Sequence, residues 1–264
     1  MKNEIGIYIP TRGRWDKQTT LKCIPESLLP RTFLVIHDSE KKQYAKYNNV
    51  LLFKYQGLSD VKQMIMEIGE YRYVIIIDDD LVFNARRDGH LVVANEYEVI
   101  HMFEVLEEWL KSGFAHVGVS ARGGNNRVEE DFIENSRICL LCGLDSKVFH
   151  DTGCRFDRVV TMQDFDCTLY LLGKGYPNRI SYQYACGHTS GSKGGCSLYR
   201  NSVTQEQSAF FLKKQYPYCV TVAKKVSKDA WGGIGDNVRY DVNVQWKKAY
   251  CPKIKNDKGL GKFF

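Results

Sequence analysis

One segment constrains the fold more than any other: an apolar run, Tyr73–Ile77, leads directly into Asp78, Asp79 and Asp80. A continuously apolar, β-rich run is typical of a central strand buried on both faces of a parallel sheet. Three adjacent carboxylates at the end of such a strand repel one another unless a cation or solvent compensates their charge. Hard oxygen ligands suit Mg²⁺ or Mn²⁺, which also bind substrate phosphates. The sequence therefore predicts a divalent-metal site that fits sugar, nucleotidyl or phosphoryl transfer.

The chain before this strand alternates between short apolar runs and segments that favour helix. Predicted strands cover residues 5–9, 32–36, 50–54 and 73–77, and the helical segments between them cover residues 17–27, 39–47 and 59–68. This alternation predicts an α/β fold with a mostly parallel sheet flanked by helices. Ligands of such sheets bind at the carboxyl ends of the strands. Polar clusters at 10–14, 37–38 and 78–80 follow three of the strands, so we expect one site there.

The second half of the chain has a less regular pattern. Predicted strands cover residues 115–120, 138–144 and 178–184, and predicted helices cover residues 97–110, 164–172 and 204–215. The basic tail from Lys224 gives no pattern that we can interpret. Cys139 and Cys142 form a C-x-x-C pair, but a second pair with zinc-ligand spacing is missing from the sequence. We therefore interpret both as buried strand thiols.

The composition is that of an ordinary soluble chain. Of the 264 residues, 44% are hydrophobic and 26% charged, and no stretch approaches the roughly 20 apolar residues that span a bilayer. The first apolar run is followed by Arg12 and Arg14, which is the reverse of the order in a signal peptide. Nine scattered cysteines do not form the dense framework of a small secreted domain. We expect a cytoplasmic protein with no membrane partner and no evident obligate protein partner.

The net charge of +6 lies in the C-terminal quarter of the chain. Residues 201–264 carry twelve Lys or Arg against five Asp or Glu, so the preceding 200 residues are nearly neutral. A basic end on a neutral body suits a phosphate-backbone partner, although a solubilising tail would look the same. Lys224, Lys225 and Trp231 are candidates for DNA contact, because lysines neutralise phosphates and aromatic rings stack on exposed bases. We expect a core at 1–200 and a basic helix and tail at 201–264 packed on it.

Two residues outside the acidic cluster fit the same chemistry. His188 follows the strand predicted at 178–184, and in its neutral form it could complete a metal shell. By itself, a lone histidine is more often not a ligand. Asp164 opens a predicted helix, where the positive end of the helix dipole lowers the cost of its charge. That carboxylate could take the proton of an acceptor hydroxyl, or it could simply cap the helix.

Four elements follow one another along the chain: IPTRGR at 9–14, the strand that ends in aspartates at 78–80, QDFD at 163–166, and GGCSLYR at 194–200. They resemble, in the same order, the I-P-[ST]-R-G-R opening, the D-x-D element, the acidic motif, and the Gly-Gly-Cys segment with a trailing arginine of one enzyme family. That family is the TET-associated glycosyltransferases, which are GT-A enzymes related to the base J glucosyltransferase of kinetoplastids. The resemblance runs from about residue 5 to residue 200.

The resemblance implies a GT-A-like fold and particular residue roles. Asp78 and Asp80 would bind the donor ribose and a Mn²⁺ or Mg²⁺ ion. His188 would be the remaining metal ligand, and Asp164 would be the catalytic base. These assignments are carried over from the family by position along the chain.

The same resemblance implies donor and acceptor contacts. The remaining candidates for binding the UDP-sugar are Pro10, Thr11, Arg12, Asp38, Lys62 and Asp79. Gly195 and Arg200, in the Gly-Gly-Cys segment, join Lys224, Lys225 and Trp231 as candidates on the acceptor side.

The implied reaction moves a sugar, with glucose or arabinose expected, from its UDP conjugate to a hydroxyl of 5-hydroxymethylcytosine or 5-hydroxymethyluracil. The acceptor would be double-stranded DNA of a bacteriophage, modified in the cytoplasm of the infected host. We expect inversion, because one well-placed base and no second nucleophile is evident. The alternatives are a GT-A enzyme with a polysaccharide, lipid or protein acceptor, a sugar nucleotidyltransferase, and a non-catalytic DNA-binding module. The first shares every core residue and differs only in its acceptor.

Overall fold

A computed structural model of the chain describes residues 4–121, 128–188, 201–226 and 237–252. The strands in these residues are β1 (Ile5–Thr11), β2 (Thr32–His37), β3 (Val50–Phe53), β4 (Tyr73–Ile77), β5 (Leu81–Arg87), β6 (His90–Val93), β7 (His116–Ala121), β8 (Phe132–Glu134), β9 (Leu141–Asp145), β10 (Asn178–His188), β11 (Val220–Val226) and β12 (Val238–Val244). The helices are α1 (Thr19–Lys22), α2 (Leu58–Glu67), α3 (Glu96–Lys111), α4 (Ser146–Asp151), α5 (Gln163–Gly173), α6 (Ser202–Gln215) and α7 (Trp246–Ala249), with 3₁₀ helices at Glu26–Arg31 and Asp38–Glu40.

Ten of the described strands form one sheet in the order β3-β2-β1-β4-β9-β7-β10-β5-β6, with β8 beside β10. The first four strands of that order are parallel to one another, as the alternation of strand and helix predicts. Beyond β4 the sheet is mixed, because β9 runs antiparallel to both of its neighbours while β7 and β10 are parallel. The parallel strands bring the carboxyl ends of β1, β2 and β4 to the same edge.

The central strands are buried on both faces, which explains their unbroken apolar sequence. Ile75 and Ile77 pack in one hydrophobic cluster with α3, while Val74 and Ile76 pack in a second cluster with α2 and α5. Successive side chains of a strand point to opposite faces, so one strand supplies both clusters. The apolar run before the three aspartates is therefore the centre of the molecule.

Several predicted boundaries are corrected by the structure. The predicted helix at 17–27 is divided into α1 and a 3₁₀ helix, because Pro25 breaks it. The segment at 39–47 forms only a short 3₁₀ helix followed by turns. Helix α2 begins at Leu58 with Gly57 as its N-cap, not at Ser59. The strand predicted at 138–144 begins only at Leu141, after Leu140 adopts a left-handed conformation with φ of 64°.

A hairpin that the sequence interpretation missed follows the acidic cluster. Strands β5 and β6 pair antiparallel, with Arg87 opposite His90, so Asp88 and Gly89 form a two-residue turn. Both turn residues have positive φ, 48° and 79°. An Asp-Gly pair between apolar runs is a strong hairpin signal and could have found this element. The hairpin matters for the site because β5 carries the chain away from Asp80 and pairs with β10.

The basic region that begins at residue 201 packs on the core through α5. We call its described residues, 201–226 and 237–252, the C-terminal unit; it contains α6, the antiparallel pair β11–β12 and α7. Leu212 of α6 is fully buried in a cluster with Leu169 and Leu172 of α5. The Tyr216 hydroxyl donates to the buried Asp166 carboxylate at 2.7 Å. The tail, whose sequence shows no pattern that we can interpret, thus contains an antiparallel strand pair packed against the core.

Over the part of the chain that the structure describes, no helix is both long and apolar enough to cross a bilayer.

Leu212→Ala should lower the free energy of unfolding by about 2–5 kcal/mol, because it leaves a cavity between α6 and α5. Val203→Ala on the same helix, where the side chain is 57% exposed, should change it by less than about 0.5 kcal/mol. Urea denaturation followed by circular dichroism measures both. Equal effects of the two substitutions would show that the C-terminal unit is not packed on α5 in solution.

Candidate active site

The strand ends open into one cavity of about 680 Å³. It lies at the carboxyl ends of β1 and β4 and is also lined by α2, by the start of α5 and by the C-terminal unit. The sequence-predicted residues that line it are Pro10, Thr11, Arg12, Lys62, Asp78, Asp79, Asp80, Asp164 and His188. All the metal and catalytic candidates, and all but one of the donor candidates, therefore meet in one place.

The remaining candidates lie elsewhere. Asp38 is on a 3₁₀ helix after β2, outside the cavity wall, with its carboxylate 3.2 Å from the His37 ring. Lys224 and Lys225 are exposed on β11 and do not line the cavity, but Lys225 pairs with Asp241, which does. The last three candidates, Gly195, Arg200 and Trp231, lie outside the described residues.

Arg14 compensates two of the three adjacent aspartates. This buried arginine pairs with the carboxylate of Asp79 and lies 3.2 Å from that of Asp80. Thr11 donates its hydroxyl hydrogen to the other oxygen of Asp79 at 2.6 Å. Burial raises the pKa of Asp79, and the bonds from Thr11 and Arg14 oppose that shift. Because both of its oxygens are engaged, Asp79 ties the end of β1 to the end of β4.

Asp78 has a different counterion. The Lys62 ammonium, almost fully buried on α2, lies 3.9 Å from the Asp78 carboxylate, which is a quarter exposed. Burial raises the pKa of Asp78, and the charge of Lys62 opposes that rise. Thr20 holds the loop by donating to the Asp78 carbonyl at 2.6 Å and accepting from the Leu81 amide at 2.9 Å. The turn is thus fixed on both sides, and Asp78 faces the cavity.

Asp80 and His188 form a pair of possible metal ligands. The antiparallel pairing of β5 and β10 sets Leu81 opposite His188, which brings the imidazole Nδ1 to 3.0 Å from the Asp80 carboxylate. The hydrogen bond to Asp80 raises the pKa of His188, with partial burial opposing it. Within the described ranges, no three His, Cys, Asp or Glu side chains form a complete metal shell. One carboxylate and one imidazole fit a Mn²⁺ or Mg²⁺ ion whose other ligands are phosphate oxygens and water.

Asp164 lies in the first turn of α5 but does not cap the helix. The N-cap is Met162, in a left-handed conformation with φ of 63°. The Asp164 carboxylate instead accepts two hydrogen bonds on Oδ2 from Arg137, at 2.9 and 2.7 Å. The Arg137 guanidinium also lies 4.0 Å from the centre of the Phe165 ring. Arg137 was not predicted as a site residue from the sequence, because no motif or spacing marks it.

The two cysteines of the C-x-x-C pair lie near this cavity. Cys142 is buried on β9, and Cys139 lines the cavity wall. Burial raises the pKa of both thiols to about 11, so both are protonated at neutral pH. The interpretation as a buried strand thiol is confirmed for Cys142 but is wrong for Cys139, which is only partly buried and lies before β9 begins. Neither thiol is in the thiolate form that a reactive or metal-binding cysteine needs.

Comparison with known proteins connects this geometry to a family. A family profile described as TET-Associated Glycosyltransferase matches residues 5–195, which is most of the chain. The chain belongs to that family. It is therefore a glycosyltransferase, an enzyme that moves a sugar. Comparison with curated proteins finds none that matches this sequence significantly.

Solved structures agree on the fold of this glycosyltransferase. S. aureus TarS 1–349 in complex with UDP-GlcNAc aligns with a TM-score of 0.53 and 10% identity, covering 80% of this chain and 67% of that one. GalNAc-T7 with UDP, GalNAc and Mn²⁺ aligns with a TM-score of 0.51 and 11% identity, covering 75% of this chain and 46% of that one. The mannosyltransferase PcManGT from Pyrobaculum calidifontis with GDP-Man and Mn²⁺ aligns with a TM-score of 0.52 and 13% identity, covering 81% of this chain and 64% of that one. At these identities the likeness confirms the GT-A fold alone.

Replacing Arg137 tests whether it orients Asp164. We expect Arg137→Met to lower kcat of sugar transfer by roughly 10- to 100-fold, since a misplaced catalytic group costs up to about 100-fold. Arg155→Met removes a similar two-bond contact, to Asp157 at 2.8 and 2.6 Å, away from the cavity. That control should leave kcat unchanged. Steady-state kinetics with thermal unfolding of each variant provides the measurement, and equal kcat in both variants would contradict the role of Arg137.

Proposed function

We propose that this glycosyltransferase moves a sugar from a UDP-sugar to the hydroxyl of 5-hydroxymethylcytosine or 5-hydroxymethyluracil in double-stranded DNA. The observation that carries the proposal is the shared cavity: Asp164, the Asp80–His188 pair and the basic C-terminal unit all contribute to it. The proposed setting is bacteriophage DNA hypermodification in the host cytoplasm. Residues 1–200 are the proposed catalytic core, and residues 201–264 are the proposed acceptor region.

The donor binds at the β1–α2 end of the cavity. Thr11 ends β1 and Arg12 follows it, and the Arg12 guanidinium lies 5.6 Å from the centre of the Tyr55 ring. Lys62 projects from α2 beside Asp78. Cations near the phosphates and an aromatic ring near the nucleoside suit a UDP-sugar. Glucose and arabinose remain the expected sugars.

Asp80 and His188, with Asp78 beside them, hold a Mn²⁺ or Mg²⁺ ion in this proposal. When bound, the ion stabilises the negative charge that develops on the departing diphosphate. Arg14 holds the Asp80 side chain in place, because its guanidinium lies 3.2 Å from the carboxylate oxygen that does not contact His188. The protein thus arranges two ligands of different chemistry before any substrate arrives.

Asp164 acts as the general base. It takes the proton of the acceptor hydroxyl, whose oxygen then forms a bond to the anomeric carbon while the bond from that carbon to UDP breaks. Both Arg137 hydrogen bonds go to Oδ2, so Oδ1 faces the acceptor. One base and a single displacement give inversion at the anomeric carbon. UDP leaves as an anion, and the proton remains on Asp164.

The direct experiment incubates the protein with Mn²⁺, a panel of UDP-sugars and duplex DNA that contains hydroxymethylcytosine or hydroxymethyluracil. The DNA is digested and its nucleosides are analysed by mass spectrometry. We expect one nucleoside to gain the mass of one sugar. Release of UDP with no modified nucleoside would support the donor site and refute the DNA acceptor in favour of a glycan, lipid or protein acceptor.

Asp164→Asn should lower the rate of DNA modification by at least about 100-fold, because general bases contribute on the order of 10²–10⁴. The UDP dissociation constant, measured by calorimetry with Mn²⁺, should change less than about twofold, since the donor end is intact. Asp151→Asn, at an exposed carboxylate on α4, is the matched control. Full activity of Asp164→Asn would exclude it as the base.

Asp80→Ala should abolish the Mn²⁺-dependent gain in UDP affinity that the wild-type protein is expected to have. Calorimetric titration of UDP with Mn²⁺ and with EDTA measures this gain without depending on catalysis. Asp151→Ala should retain it. If Asp80→Ala binds UDP more tightly with Mn²⁺ than with EDTA, as the wild type does, Asp80 is not a metal ligand.

A further inference from the structure

The C-terminal unit builds one wall of the reaction cavity. Gln205 of α6 and the β12 residues Tyr240, Asp241 and Asn243 line the same cavity as Asp164. The family match ends at residue 195, so this wall lies outside the matched region. An element that reaches the cavity but is not part of the family profile is suited to determine the acceptor rather than the shared donor chemistry.

The position of Asp164 limits how DNA can reach it. Its side chain is 17% exposed and lies inside the cavity, held by Arg137. A duplex is larger than its major groove, which alone is about 12 Å wide. A cavity of about 680 Å³ is therefore too small to admit a duplex whose bases remain stacked. A 5-hydroxymethyl group extends only two bonds beyond its ring. The base itself must therefore enter the cavity.

Resting on the function proposed above, we propose that the acceptor pyrimidine leaves the duplex and stacks on Tyr240 in the Asp164 end of the cavity. Enzymes that act on a base take it out of the stack and bind it between aromatic or apolar side chains and polar groups. Tyr240 supplies the aromatic surface, and Gln205, Asp241 and Asn243 supply polar groups around it.

Tyr240 is fixed in place before a base arrives. Its ring packs edge-to-face on Phe210 of α6, with ring centres 5.5 Å apart. Its backbone N–H donates to Gln205 Oε1 at 3.2 Å. A ring held by its neighbours loses little freedom when a ligand stacks on it, so more of the stacking energy is retained in binding.

The charges around this wall suit the DNA backbone. Asp241 is neutralised by Lys225 at 2.6 Å and by Arg239 at 3.1 Å. Over its described residues the C-terminal unit carries seven Lys or Arg against two Asp or Glu. Its surplus cations can hold the phosphates on either side of the extruded nucleotide, while the cavity receives the base.

Tyr240→Ala tests the stacking role. We expect it to raise the acceptor KM, or lower kcat/KM for DNA, by roughly 5- to 150-fold, which corresponds to the loss of one stacked base. Tyr240→Phe keeps the ring and should stay within about threefold of wild type. Tyr97→Ala, at a tyrosine 73% exposed on α3 and away from the cavity, controls for the loss of a tyrosine ring.

A second measurement tests extrusion of the base directly. Duplexes with hydroxymethylcytosine opposite guanine or opposite an abasic site are compared in the wild-type protein. Because an unpaired base costs less to extrude, the abasic duplex should bind at least about tenfold more tightly. Equal affinities for the two duplexes, or wild-type kinetics of Tyr240→Ala, would overturn the inference.

These outcomes are separable from failure of the proposed function. If the wild-type protein binds UDP but modifies no DNA, the acceptor assignment itself is wrong and the inference falls with it. If the wild type modifies DNA and Tyr240→Ala does so equally well, the function stands and the stacking site is refuted. UDP affinity, measured for each variant, should not change, because Tyr240 belongs to the C-terminal unit and not to the β1–α2 wall assigned to the donor.

Discussion

The site depends on charge compensation at the end of β4. A strand buried on both faces ends in three adjacent carboxylates, and residues from three other parts of the chain compensate them. Arg14, after β1, forms ion pairs with Asp79 and Asp80. Lys62 on α2 forms an ion pair with Asp78, and the imidazole at the end of β10 contacts Asp80. Without these partners, burying three like charges would destabilise the strand that forms the centre of both hydrophobic clusters.

Much of this architecture could be predicted from local sequence. The apolar run before Asp78 identified the central strand, because burial on both faces requires it. The strand-end argument placed the cluster at 10–14 beside the one at 78–80, since strand ends of one sheet share an edge. The resemblance to the family assigned Asp164 to the same site. Each of these features is contiguous in sequence, so its physical reason can be seen in a few residues.

What could not be predicted depends on tertiary contact. Arg137 is distant in sequence from Asp164 and occurs in no motif, and only the fold brings the two together. Tyr240 lies in a basic segment without clear periodicity, and no motif marks it. Its hairpin is stabilised by packing of Leu212 on α5, a contact that no local pattern records. The missed β5–β6 hairpin is different, because its Asp-Gly turn was visible.

The cavity's charge balance gives a physical reason for a divalent ion. Among the described residues that line it are five carboxylates, those of Asp78, Asp79, Asp80, Asp164 and Asp241. The permanent cations in the same lining are Arg12, Arg14, Lys62 and Arg137. Arg14, Lys62 and Arg137 already form ion pairs with carboxylates of the cavity. A nucleoside diphosphate would therefore enter a cavity whose own charges are nearly balanced. In the proposed reaction its negative charge requires a further cation, and we assign that cation to Asp80 and His188.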